Sequence, residues 1–138
     1  MSNVSLDALV RHWQERIPFN RLCGFVVSKW DEHGVRMEVD DADALSNGVG
    51  AIHGGVVATL VDTVANAAAV TVGSFAPGTQ VLTVSMTVNY TGPARGHLVA
   101  DALCTASGRS LCSVTVDVHD AGGASVATGL VVVKVSPA

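Results

Sequence analysis

Between Asp43 and Arg95 the chain runs through 51 residues, Ala44 to Ala94, in which Asp62 is the only formally charged side chain. In apolar surroundings a carboxylate gains proton affinity unless hydrogen bonds hold it ionised, and such tuning suits a general base or a nucleophile. Upstream stands His53-Gly54-Gly55. If these residues open a helix, its first N–H groups lack intrahelical acceptors and lie at the positive end of the dipole. The glycines then let another atom approach the backbone closely. A developing oxyanion would bind there. Each part also has an ordinary reading: Asp62 as a polar residue satisfied by nearby threonines, and His-Gly-Gly as a cap or tight turn.

The element that must position both groups is a helix. Val57, Leu60, Val61, Val64 and Ala68 recur at three- and four-residue steps from the His-Gly-Gly start, with a stop expected near Gly73. Thr59, Asp62, Thr63 and Asn66 share another face, a stripe of short polar groups. Asp62 lies eight residues after Gly54, which on one helix means about 12 Å along the axis and about 80° around it. One helix cannot aim both at the same carbonyl. If both serve one substrate, the site crosses a symmetric dimer interface.

Around this helix the sequence predicts a first helix over about 5–15, capped by Ser5 and ended by Pro18, then strands Gly24–Trp30 and Val35–Asp40 as a hairpin. A loop from Asp41 to Ile52 follows. After Pro77-Gly78 come four more strands, Gln80–Tyr90, Gly96–Ala106, Leu111–His119 and Ala124–Val135. Val114, Val116 and Val118 alternate with Thr115, Asp117 and His119, as in a strand with one face in a core. One apolar helix cannot stand alone, so the sheet should curl round it in an α+β arrangement, one domain over residues 1–138.

Composition narrows the class. Hydrophobic residues make up 49% and charged residues 14%, so a packed core is expected and disorder is not. Eight scattered Lys and Arg against a net charge of −4 leave no footprint for nucleic acid. The apolar run Val56–Val72 carries Asp62 and Asn66, which fits a buried helix better than a membrane span. No secretion signal opens the chain. Cys23, Cys104 and Cys112 lack the close pairs of a zinc site and read as reduced core fillers in a cytoplasmic protein, with no metal expected. Cys104 and Cys112 could face each other across a hairpin near Gly108.

Asn47, the segment Ile52-His53-Gly54-Gly55, Leu60 and Asp62, a Pro-Gly turn and the strand ending Val88-Asn89-Tyr90 together resemble the hotdog-fold acyl-CoA thioesterases of the phenylacetate-degradation (PaaI-type) group. The resemblance spans about residues 22–135. It implies a hotdog fold, a curved antiparallel sheet wrapped around a long central helix. It also implies hydrolysis of acyl-CoA or aryl-CoA thioesters, with coenzyme A entering as part of the substrate and no separate cofactor. By the same resemblance Asp62 activates water or attacks the thioester, the Gly54 amide polarises the carbonyl, and Asn47 positions substrate or water. His53 shapes the helix start and contacts the thioester, Thr83 matches a hydroxyl near the nucleophilic water, and Gly55 and Asn66 belong with them to the substrate site. Gly108-Arg109-Ser110 looks like the turn that meets the nucleotide or pantetheine part of coenzyme A, where Arg109 would pair with phosphate. The family implies a homodimer, commonly paired into a homotetramer.

Two rivals share the fold. A hydratase or dehydratase needs a His and an acid acting together, and no second acid stands near His53. A non-catalytic acyl-CoA-sensing module would need a partner for its output, since about twenty residues before the first strand are too few for a helix-turn-helix.

Overall fold

The computed structural model describes residues 4–71 and 76–138. Six strands form one antiparallel sheet in the order β1-β2-β4-β5-β6-β3: β1 Val26–Asp31, β2 Gly34–Val39, β3 Gln80–Tyr90, β4 Leu98–Ser107, β5 Leu111–Asp120 and β6 Ser125–Ser136. The long helix, α3, spans Gly54–Thr71 and packs against β2 to β6. This is the hotdog fold. The helix stop expected near Gly73 lies outside the described residues.

Burial follows the periodicities. Val57, Leu60, Val61, Val64 and Ala68 are at most 1% exposed, and Val114, Val116 and Val118 meet them from the sheet. Such burial marks α3 as a core helix despite a length and apolarity that would suit a membrane span. The contact is close at Gly129 on β6, where a Cβ would lie 2.5 Å from Val61 Cγ1. Only glycine lets the helix settle there. Bulges between Val27 and Lys29, Thr83 and Ser85, Cys104 and Ala106, and Val118 and His119 bend the strands around it.

The N-terminal segment holds the expected helix and one more. Ser5 caps the first, its Oγ accepting the Ala8 N–H at 3.2 Å, and α1 runs Leu6–Arg11. A π-turn over His12–Arg16 continues it, so helical backbone covers the expected range. Pro18 opens a further helix, α2 Pro18–Cys23, that the sequence reading missed. Proline lacks an N–H and has a fixed φ, so it suits a first helical turn as well as it ends a preceding one. The tertiary reason is Trp13, 3% exposed, whose indole N–H donates to Thr63 O at 3.2 Å and whose ring meets Trp30 edge-on at 5.4 Å.

The three cysteines are free thiols, Cys23 and Cys112 buried and Cys104 partly so. Cys112 stands opposite Ser107 and Cys104 opposite Val114, so the two thiols meet diagonally across the β4–β5 hairpin. Burial, with the Cys104 thiol nearby, pushes the Cys112 thiol up from its ordinary range.

Candidate active site

Thr83 lies opposite Val133, a core residue, and therefore points from β3 toward α3. There its hydroxyl donates to Asp62 Oδ1. Asn66, one turn beyond Asp62, donates from Nδ2 to Thr83 Oγ1 at 2.9 Å and to the Asp62 carbonyl at 2.8 Å, with a longer approach of 3.3 Å to Asp62 Oδ1. A hydroxyl has one proton and two lone pairs, so Thr83 can serve as donor and acceptor at once. Asp62 is half-buried, and among the described residues Oδ2 takes no hydrogen bond.

The expected polar stripe divides in two. Thr63 is buried at 8% exposure, its Oγ1 accepting from Asn20 Nδ2 at 2.7 Å, while the same amide holds the Trp13 carbonyl at 2.8 Å. This clamp fastens the N-terminal helices onto α3 one residue from Asp62. Beside it opens a cleft of about 670 Å³. Asp62, Asn66 and Thr83 line it together with apolar Ile17, Phe19 and Leu82. His12, with Arg16 beside it, also lines the cleft, and burial followed by the guanidinium charge moves its pKa down.

At the helix start, His53 Nδ1 accepts the Gly55 N–H at 2.8 Å. A Cβ on Gly55 would fall 2.9 Å from that nitrogen, so the cap requires glycine. Acceptance at Nδ1 leaves the proton of the neutral ring on Nε2. The single tyrosine, Tyr90 at the end of β3, donates its hydroxyl to Gly54 O at 2.7 Å. No described residue accepts the Gly54 N–H.

Asn47 is exposed, and its Oδ1 accepts from Val49 N at 2.9 Å and Ala51 N at 3.2 Å. It shapes its own loop, which is tied to the helix start through His53 N donating to Leu45 O. The Gly108-Arg109-Ser110 turn joins the inner strands β4 and β5 at the end of the sheet where β3 begins: Ser110 O accepts from Val135 N, and Val135 pairs with Val81. None of these residues lines the Asp62 cleft. The chain thus joins Asp62, Asn66 and Thr83 in one place, and His53, Gly54 and Gly55 in another. Tyr90 and Asn20 had no assigned role from sequence. Tyr90 stood at the end of a quoted motif, and only the pairing of β3 with α3 reveals its use.

A separate ionisable cluster joins β2 to the start of β4. His97 bonds Asp40 through Nδ1 at 2.6 Å and Glu38 through Nε2 at 2.7 Å. These bonds, to Glu38 first and then Asp40, raise the His97 pKa. Glu38 is lowered by a hydrogen bond from Ser28 and then by His97.

The model of the thioesterase superfamily matches residues 49–127. A Halobacterium salinarum protein that bears an esterase name is 31% identical over 98 residues, covering 69% of this chain and 65% of its own length. The match thus spans a little under two thirds of that relative. A thioesterase family protein from Silicibacter pomeroyi superposes with a TM-score of 0.86 at 23% identity, covering 97% of this chain and all of its own. The thioesterase superfamily member 2 of Mus musculus gives 0.79 at 23% identity, with 98% of each chain covered. At such identities these two structures show the fold alone.

Proposed function

The chain belongs to the thioesterase superfamily, and from that premise we propose that it hydrolyses acyl-CoA or aryl-CoA thioesters in the manner of the PaaI-type branch, Asp62 acting as general base. The observation that carries this reading is the Asp62 carboxylate, oriented at Oδ1 by Thr83 and Asn66 and left with Oδ2 open to a water. Water oxygen attacks the thioester carbon while its proton passes to Asp62. The carbonyl oxygen takes up negative charge and is met by the Gly54 N–H. Collapse of the tetrahedral intermediate breaks the C–S bond, and the thiolate leaves with the proton held by Asp62. The products are a free acid and coenzyme A.

Both halves of this chemistry must meet, and a homodimer supplies the meeting. Within one chain Thr83 anchors Asp62 and Tyr90 anchors Gly54, and Tyr90 stands seven residues beyond Thr83 on β3, about 23 Å of extended strand. β3 is one of the two edges of the sheet, β1 being the other, and exposes Leu82 and Val84, each at 58%, and Met86 at 39%. Such an edge invites another strand. A twofold axis near Met86, pairing β3 with its copy antiparallel, would bring the Tyr90 end of one subunit beside the Thr83 end of the other. Dimers of this kind can pair further into a tetramer.

The apolar wall of the 670 Å³ cleft suits the acyl or aryl group. The Arg109 turn is assigned to a phosphate of coenzyme A. Three free thiols fit a reducing cytoplasm.

The test is release of free thiol from a panel of acyl- and aryl-CoA esters, followed with a thiol-reactive dye. Asp62→Asn, which keeps the side-chain shape, should lower kcat/KM by about 100- to 10,000-fold. Equal rates for both proteins would remove Asp62 from the mechanism. Tight binding of an ester without turnover would favour a sensing module.

A further inference from the structure

We propose that Tyr90 is a positioning residue that fixes the Gly54–Gly55 peptide and thereby aims the Gly54 N–H at the substrate oxygen. This rests on the hydrolytic reading above. Two consecutive glycines at a helix start are the least restrained backbone a chain can offer, and an oxyanion donor that wanders loses most of its value.

Three side chains remove that freedom. His53 Nδ1 takes the Gly55 N–H at 2.8 Å, Thr59 Oγ1 donates to Gly55 O at 2.7 Å, and Tyr90 Oη donates to Gly54 O at 2.7 Å. Of the four backbone polar groups of the glycine pair, three are therefore held by side chains. The fourth, the Gly54 N–H, is the one with no acceptor among the described residues. The peptide between the glycines is bound at both ends, its oxygen by Tyr90 and its N–H by His53. The Gly54 N–H lies on the preceding peptide, whose His53 oxygen accepts from Val56 N at 2.9 Å and Val57 N at 3.3 Å, so the torsions at Gly54 are held from both sides. The two local residues, His53 and Thr59, sit on or beside the helix itself. Only Tyr90 ties this peptide to the sheet.

Tyr90 is 55% exposed, so little apolar burial explains its place. It closes β3 opposite Ala127, a core residue, which turns its ring inward over the helix start. The ring atoms Cε1, Cζ and Oη stand 3.5 Å from where a Gly54 Cβ would be, ordinary van der Waals contact. Tyr90→Phe thus keeps the packing and removes only the hydroxyl.

Wild type and Tyr90→Phe are compared in two measurements. In the free protein, amide hydrogen exchange followed by NMR should quicken about fivefold at Gly55 and Val56, with core amides of α3 such as Val61 unchanged. In thiol-release kinetics kcat should fall about tenfold with KM within about twofold, short of the 100- to 1000-fold cost of losing an oxyanion donor outright. Wild-type exchange at Gly55, an unchanged kcat, or a loss carried wholly by KM would each overturn the role. If the wild-type protein hydrolyses no ester, the hydrolytic reading fails, and the exchange rates alone decide whether Tyr90 holds the peptide.

Discussion

Thr83 on the edge strand donates its hydroxyl to Asp62 in the middle of the core helix. That bond crosses from sheet to helix at the point where the chain's isolated carboxylate meets the cleft. Removing it while keeping the shape should separate orientation from chemistry. Thr83→Val leaves Asp62 Oδ1 with Asn66 alone, and kcat should fall about tenfold while stability drops by about 1 kcal/mol. Thr83→Ser should retain most of both. Thiol-release kinetics and urea unfolding read the two effects, and a Val variant as active as wild type would show that the hydroxyl only fills space.

Shared sites predict rescue between inactive subunits. Gly54 is the first residue of α3, a position that accepts proline, and Gly54→Pro removes the N–H without breaking the helix. Mixed with Asp62→Asn and allowed to exchange subunits, it should restore about a quarter of wild-type activity, since about half the dimers are mixed and each has one intact site. No recovery after exchange shown by mass spectrometry would place the whole site within one chain.

The clamp on the N-terminal wall depends on Asn20, 2% exposed, whose amide serves both the Trp13 carbonyl and Thr63. Asn20→Ala takes the amide away from both acceptors and should destabilise the fold by about 2–3 kcal/mol. The urea midpoint should fall with little change of slope. A midpoint within error of wild type would mean that water replaces the amide.

The His97 cluster has a pH signature. Its folded pKa is raised, so its contribution is complete below the ordinary 6.5 and fades as pH climbs through the raised value. Glu38 is lowered, so its contribution is complete above the ordinary 4.5 and fades as pH drops through the lowered value. The two overlap most fully between about pH 4.5 and 6.5. The side chains of His97 and Asp40 are 37% and 85% exposed, so solvent screening holds the effect below about 1 kcal/mol. The Tm gap between wild type and His97→Gln should be widest near pH 5.5 and narrow toward pH 9. A gap that widens with pH would reverse the assignment.

Much is legible in the sequence because it depends on local periodicity. A 3.6-residue repeat from Val57 to Ala68 and a two-residue repeat from Val114 to His119 bury the residues they predict, since a helix or strand can hide only one face. Asp62 stood out because a lone charge in an apolar stretch is costly unless it is used or satisfied. The π-turn at His12–Arg16 and the helix after Pro18 were not legible. They follow from where Trp13 and Asn20 find Thr63, fifty and forty-three residues away.

By itself, then, the sequence determined the order of the six strands and the long helix, the faces of that helix and of β5 that turn inward, and the isolation of Asp62 on the core helix. All of these follow from the spacing of side chains along one chain. Tertiary structure decided what that carboxylate touches and which donor at Gly54 is left free. Those outcomes turn on Thr83 and Tyr90, which β3 carries to α3 from 21 and 36 residues away. Pairing across such separations is set by the packing of sheet on helix, and no local pattern of residues encodes it.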